Sequence, residues 1–326
     1  MRALSTARDR QQAGDMPMAP RDVDAKNAAV IGLGSMGLGM ALSMKKAGHD
    51  VVGFDVASQM MDRFAAKGGR NAATAIDACR LADMVICVVV NGAQTEGLLF
   101  GPGGIAAAMK PGSVFVSSAT MDPAVARDLS QRVEALGLHY LDAPISGGAA
   151  KAASGELTIM ASGSRQAFKT ARPALDAMAG KVYELGDAAG TGAAFKMVNQ
   201  LLAGVHIAAA CEAIAFAAKQ GLDLDKVYEV ITASAGNSWM FENRMPHVLA
   251  GDYTPLSTIE IFVKDLGIVQ DMARTERYPV PLVAAALQMY LAASATGMGN
   301  DDDSSLARLY AQLSGAQLPS PDLKSQ

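Results

Sequence analysis

From Asn27 to about Leu185 the chain alternates short apolar runs with segments of helix length, the pattern of a parallel, doubly wound sheet with helices on both faces. The runs predicted as strands are Ala28–Gly32, Val51–Asp55, Met84–Val90, Ser113–Ser117, His139–Ala143, Leu157–Ala161 and Val182–Leu185. The run from Met84 to Val90 is apolar at every position, as expected of a strand covered on both faces; a strand with one wet face would alternate. After Gly192 the character changes to long Ala-, Leu- and Met-rich segments. These are punctuated by Gly221, by Asn237 and Ser238, by Gly251 to Pro255, by Pro279 and Pro281, and by Gly297 to Asp303. An all-helical region is therefore predicted to follow the sheet.

The segment from Thr191 to Lys219 is long and apolar enough to suggest a membrane span. Lys196, Asn199, Gln200, His206 and Glu212 inside it argue instead for a core helix, buried nearly all round and shared with a second subunit. A chain of 326 residues fits two domains, and two domains imply a cleft. The formal charge of −4 supplies no basic field for nucleic acid or an anionic membrane, which leaves a small molecule as the expected partner. Cys79, Cys87 and Cys211 are odd in number and far apart, so neither a disulfide framework nor a zinc site is indicated, and a cytoplasmic location is expected.

Gly32-Leu33-Gly34-Ser35-Met36-Gly37 follows an apolar run and opens a helical one, and Asp55 closes the next strand. In that setting the glycines permit a tight turn against a pyrophosphate, the helix N-terminus faces its charge, and Asp55 can accept from both ribose hydroxyls. These features mark residues 27–188 as a Rossmann-type dinucleotide-binding domain. The charge of Asp55 would repel a 2′-phosphate, and no Arg stands beside it in Phe54-Asp55-Val56-Ala57-Ser58, so NAD is expected over NADP. Val90 and Asn91, which close the third run, are counted with the cofactor-binding residues.

Asp142-Ala-Pro-Ile-Ser146-Gly147-Gly148 stands at the C-terminal end of a strand, the edge at which open α/β sheets bind ligands. Ser146 and the N–H groups of Gly147 and Gly148 could hold a carboxylate there, or the segment could be an ordinary turn; Thr120 poses the same choice. Lys196 is the sharpest single candidate. It lies in the first turns of the apolar helix with Asn199 and Gln200 on the same face, and burial would lower its pKa toward that of a useful acid/base. His206 is expected to be an interior histidine, Asp301-Asp302-Asp303 an acidic loop or helix start, and no metal-ligand spacing or GxSxG elbow occurs.

Taken together, Gly32–Gly37, Asp142–Gly148, Gly192-Ala-Ala-Phe-Lys196-Met-Val-Asn199-Gln200 and Phe262-Val-Lys264-Asp265-Leu266 resemble the β-hydroxyacid dehydrogenases, also called the 3-hydroxyisobutyrate dehydrogenase family. The resemblance covers Ala28 to about Ser314. It implies that Lys196 is the catalytic acid/base, that Ser146, Gly147, Gly148 and Asn199 meet a small hydroxy acid, that Lys264 reaches the cofactor and that Thr120 lies beside the nicotinamide. Gln200 stands where many members carry a second Asn, so its contact departs from the family pattern. The resemblance also implies a homo-oligomer, dimer or tetramer, in which the long helix packs against its neighbour. Within the family, Ala235 to Met245 and Gly251 to Pro255 look most like members that act on four-carbon acid sugars, with Asn237, Ser238 and Asn243 offering polar groups to the extra hydroxyls. A non-catalytic relative or an imine reductase would be expected to lack the lysine. The chain is thus expected to divide into a disordered leader (1–26), with Met16 and Met18 as candidate starts, the NAD-binding domain (27–188), a helical substrate and oligomerisation domain (189–316) and a tail (317–326).

Overall fold

The computed structural model describes residues 26–320; the expected leader before Lys26 and the end of the tail, residues 321–326, lie outside the described residues. Six strands, β1 (Asn27–Ile31), β2 (Asp50–Phe54), β3 (Arg70–Asn71), β4 (Met84–Cys87), β5 (Val114–Ser117) and β6 (His139–Asp142), form one parallel sheet in the order β3-β2-β1-β4-β5-β6. Successive residues of each inner strand feed different cores. Ala28, Val30, Met84 and Ile86 pack with Met40, Met44, Phe64 and Leu175 on one face. Ala29, Ile31, Val85 and Cys87 pack with Cys79, Leu99, Ile105 and Leu129 on the other. That division explains why these strands read as continuous apolar runs.

The runs Leu157–Ala161 and Val182–Leu185, expected to extend the main sheet, instead build a second one. There β7 (Ile145–Ser146) pairs antiparallel with β8 (Leu157–Ala161), which pairs parallel with β9 (Ala179–Glu184). The chain leaves β6 at Pro144, which has no N–H to continue the ladder, and turns so that Ile145 and Ser146 meet β8. The two-residue strands β3 and β7 are too short to leave a periodic signal in the sequence.

The helical region is organised around one helix, Thr191–Lys219, against which the helices Trp239–Ala250, Ile259–Thr275, Pro281–Ala293 and Leu306–Ser314 pack. Their shared core holds Cys211, Ile214, Phe262, Leu266 and Tyr290, and the Tyr290 hydroxyl donates to the Gly204 carbonyl at 3.1 Å. The long helix is not buried all round. Its most apolar stretch is half buried within the chain, and Phe195, Val198, Leu202 and Phe216 stand exposed on it. By length and composition alone both this helix and Pro281–Met298 could cross a membrane. The acidic run is absorbed by the helical core: Arg244 makes a two-pronged pair with the fully buried Asp303 (2.6 and 3.0 Å), and Asp302 accepts from the backbone of Leu256 at 2.9 Å and of Ser304 at 3.0 Å.

Candidate active site

Because the six strands of the main sheet are parallel, the turns after them gather at one edge, and the order reverses between β1 and β4. This is the crevice in which doubly wound sheets hold dinucleotides. Gly32 leaves β1 in the left-handed region (φ +92°), and a side chain on Gly37 would place its Cβ 1.8 Å from the Gly32 carbonyl oxygen. Only glycine therefore lets the turn and the following helix, Gly37–Lys46, close on each other. At Gly34 the situation is the opposite: a Cβ there meets nothing within 4 Å, so the loop presents bare backbone to open space. The helix starts at Met36 without a side-chain cap, which leaves N–H groups and the positive end of its dipole facing outward. This cradle fits a pyrophosphate.

Leu33 is wholly buried, so it serves the loop by anchoring it, while Gly34 and Ser35 are exposed. Asp55, at the end of β2, accepts from the Leu33 N–H at 2.6 Å through one carboxylate oxygen and from the Ala57 N–H at 2.8 Å through the other. It thus shapes the glycine loop from the end of β2. Val90 is about half exposed beyond β4, and its N–H donates to the Gln94 side chain. Asn91 caps the helix Gly92–Phe100 by accepting from the Gln94 N–H at 2.8 Å. Thr120 is partly buried in the turn after β5. The helix after the glycine loop is tied to the helix Gly148–Ser154, which follows the Ser146-Gly147 turn, by the Ser43 hydroxyl donating to the Ala152 carbonyl at 2.9 Å.

Lys196 lies in the second turn of the long helix and is 8% exposed. Its Nζ donates to the Ile145 carbonyl at 2.8 Å, which sets the amine beside Ser146, the next residue along β7. Burial pushes the lysine down to about 8; Asp265 opposes that shift and Lys264 adds to it. One turn further on, the Asn199 side-chain amide donates to the Gln200 Oε1 at 2.9 Å, and the Gln200 Nε2 donates to Asp265. Asp265 also pairs with Lys264. The structure therefore joins Asn199, Gln200 and Lys264 through Asp265 into one polar cluster, within electrostatic reach of Lys196, whose amine alone touches the segment before Ser146.

Asp265 is the member of this cluster that the reading of single residues passed over. Its signal lay in the stripe Ile259, Phe262, Leu266, Val269 and Ala273 of the helix Ile259–Thr275, where it occupies a core position and is 1% exposed. A carboxylate inside an apolar stripe needs a partner or a task.

Ser238 is not brought to the cluster. Its hydroxyl caps the helix Trp239–Ala250 by accepting from the Phe241 N–H at 3.0 Å, and the Asn237 amide donates to the Thr232 carbonyl at 3.1 Å and to Glu242 at 2.6 Å. Both residues line an apolar groove of about 860 Å³ with His206, Ala213 and Phe216. His206, half-buried on this groove rather than interior, is ten residues beyond Lys196, roughly 15 Å along the helix.

A glycine-rich dinucleotide loop at the sheet's switch point, with a buried lysine amine on the segment before Ser146, defines an NAD-dependent dehydrogenase. The comparisons agree: residues 27–186 match the NAD-binding domain family of 6-phosphogluconate dehydrogenase. Residues 190–310 match the NAD-binding family of NADP-dependent 3-hydroxyisobutyrate dehydrogenase. The chain belongs to the 3-hydroxyisobutyrate dehydrogenase family. It is 52% identical over 295 residues to the L-threonate dehydrogenase of Cupriavidus necator, covering 90% of this chain and 98% of that one. Against the L-threonate dehydrogenase of Escherichia coli K12 it is 47% identical over 297 residues, 90% of this chain and 96% of that one. Among solved structures it resembles 3-hydroxyisobutyrate dehydrogenase from Salmonella typhimurium, with a TM-score of 0.83 and 49% identity over 86% of this chain and 99% of that one.

Proposed function

We propose that this chain oxidises L-threonate to 2-dehydro-L-erythronate, with Lys196 as the acid/base. NAD held by the glycine loop would supply the two-electron acceptor for the hydrogen on C2; the neutral Lys196 amine takes the proton of the C2 hydroxyl as the bond between C2 and its oxygen becomes a carbonyl. Gly32 to Gly37, Asp55, Val90, Asn91 and Thr120 are assigned to the cofactor, with Asp55 favouring NAD over NADP because its charge opposes a 2′-phosphate. Ser146 with the N–H groups of Gly147 and Gly148 takes the carboxylate. Asn199 and Gln200 offer donors and acceptors to the remaining hydroxyls, and Lys264 is assigned to the cofactor.

The observation that carries the reading is the buried Lys196 amine at 2.8 Å from the Ile145 carbonyl, beside Ser146. A buried amine whose pKa is brought down to about 8 can take a proton that an exposed lysine could not. The names of the relatives at 47–52% identity support the substrate. A second reading, oxidation of 3-hydroxyisobutyrate at C3, has the name of the Salmonella structure in its favour. NADH formation with each acid, followed by NMR identification of the fresh product, separates the two. A 2-oxo acid from L-threonate, with 3-hydroxyisobutyrate a poor substrate, is expected; a 3-oxo product or equal kcat/KM on both acids overturns the L-threonate assignment.

The same reading places the domain boundary between residues 188 and 189, near where the two family matches meet. It assigns the exposed apolar face of Phe195, Val198, Leu202 and Phe216 to a homo-oligomer contact, which would bury surface too apolar to leave wet. The free, buried Cys79, Cys87 and Cys211 support a cytoplasmic setting.

A further inference from the structure

Asp142 is 1% exposed, makes no ion pair among the described residues and stands outside the polar cluster around Lys196. It ends β6, three residues before Ile145, and one of its carboxylate oxygens accepts from the Gly190 N–H at 2.9 Å, the Ala193 N–H at 2.8 Å and the Ser162 hydroxyl at 3.2 Å. The Ser162 oxygen in turn accepts from the Gly192 N–H at 2.9 Å. Three backbone donors at the start of the long helix are thus held by two buried side chains of the sheet half. The joint is tight: a Cβ on Gly192 would lie 2.3 Å from the Met160 carbonyl oxygen.

Asp142 therefore grips both partners of the lysine contact. Through the backbone it carries the Ala143-Pro144-Ile145 segment whose carbonyl receives Lys196, and through its carboxylate it fixes Ala193, one turn before that lysine. We infer that Asp142 is a positioning residue for the reaction, setting through the first turn of the long helix where the Lys196 amine meets the Ser146 turn. An ordinary helix cap satisfies donors at a helix end, whereas this one fixes a helix carried by the other half of the molecule against the loop that faces its functional residue. The inference rests on the reading of Lys196 as the acid/base.

Asp142→Asn keeps the shape of the side chain and removes its charge. With the whole enzyme, the expected result is a fall of about 10- to 100-fold in kcat and in the single-turnover rate of NADH formation from L-threonate, the size that small misplacements of reacting groups produce. The Kd for NAD and the KM for L-threonate should change less than threefold. A cap that merely stabilises would lower Tm and leave the single-turnover rate of the folded enzyme at its original value, and that result would overturn the inference. Should Asp142→Asn fail to fold, Ser162→Ala carries the same test, with a smaller fall in kcat expected and an unchanged kcat overturning it. Lys196→Met, assayed alongside, keeps the two ideas apart. Full turnover in that variant removes the lysine reading itself, while an inactive Lys196→Met beside a fully active Asp142→Asn removes only the positioning.

Discussion

In the sheet half, the residues assigned to the cofactor sit on turns after parallel strands and act largely through backbone: bare N–H groups at Gly34 and at the helix start, and a carbonyl so close to Gly37 that no side chain fits. In the helical half the proposed chemistry is assigned to side chains carried inside helices, with Lys196 and Gln200 on one and Lys264, paired with Asp265, on another. The first arrangement is exacting about the absence of side chains and tolerant of most others. The second depends on the charge and length of a few particular groups. Binding of the cofactor and turnover should therefore fail separately under mutation.

The largest expected effect is on the helical side. Lys196→Met should reduce kcat by ~10²–10⁴ and leave the Kd for NAD, read by fluorescence titration, nearly unchanged. Near-normal turnover would erase the distinction. The same residue sets the pH dependence. Only the neutral amine can accept the hydroxyl proton, so kcat/KM for oxidation should climb about tenfold per pH unit below about 8 and level above it. In Lys196→Met that limb should vanish.

On the sheet side the split reverses. In Gly37→Ala the new Cβ must displace the Gly32 carbonyl, so NAD binding should weaken by roughly 10- to 100-fold, while kcat at saturating NAD stays within a few-fold of the original. A Kd for NAD equal to that of the unmodified enzyme would show that the loop does not need this closeness. The smallest effect is expected at Asp55. Asp55→Ala removes the charge opposed to a 2′-phosphate along with acceptors worth roughly 1 kcal/mol each, and should move the NAD-to-NADP ratio of kcat/KM by about tenfold toward NADP. An unchanged ratio would leave Asp55 with the loop-shaping role alone.

The same contrast governs how much could be read from the sequence. The glycine loop was legible because its parts are contiguous and each has a local reason: a turn, a close approach, a helix start. The longer strands of the main sheet were legible, the inner ones because burial on both faces erases alternation, whereas the two-residue β3 left no signal. The second sheet was not, since β8 looks like any buried strand and only the break at Pro144 redirects the chain toward it. In the helical half Lys196 stood out against apolar neighbours, but its link to Asp265 spans 69 residues and appears only once two helices are packed. Asn237 and Ser238 illustrate the converse. Their polarity suggested a substrate, and the fold uses Ser238 to start a helix and Asn237 to brace the loop before it.

Lys196 and Phe195 are adjacent, yet one is buried with its amine on the Ile145 carbonyl and the other stands exposed. Each residue advances an α-helix by about 100°, so the two faces are locked in phase. Exchanging side chains can retune either face without disturbing the other. Adding or deleting a single residue between Gly190 and Lys196 cannot, because it would rotate the amine away from the Ile145 carbonyl and swing an apolar neighbour into its place. The length of this short interval, measured from the grip of Asp142, is consequently as much a determinant of the enzyme as the identity of the lysine at its end.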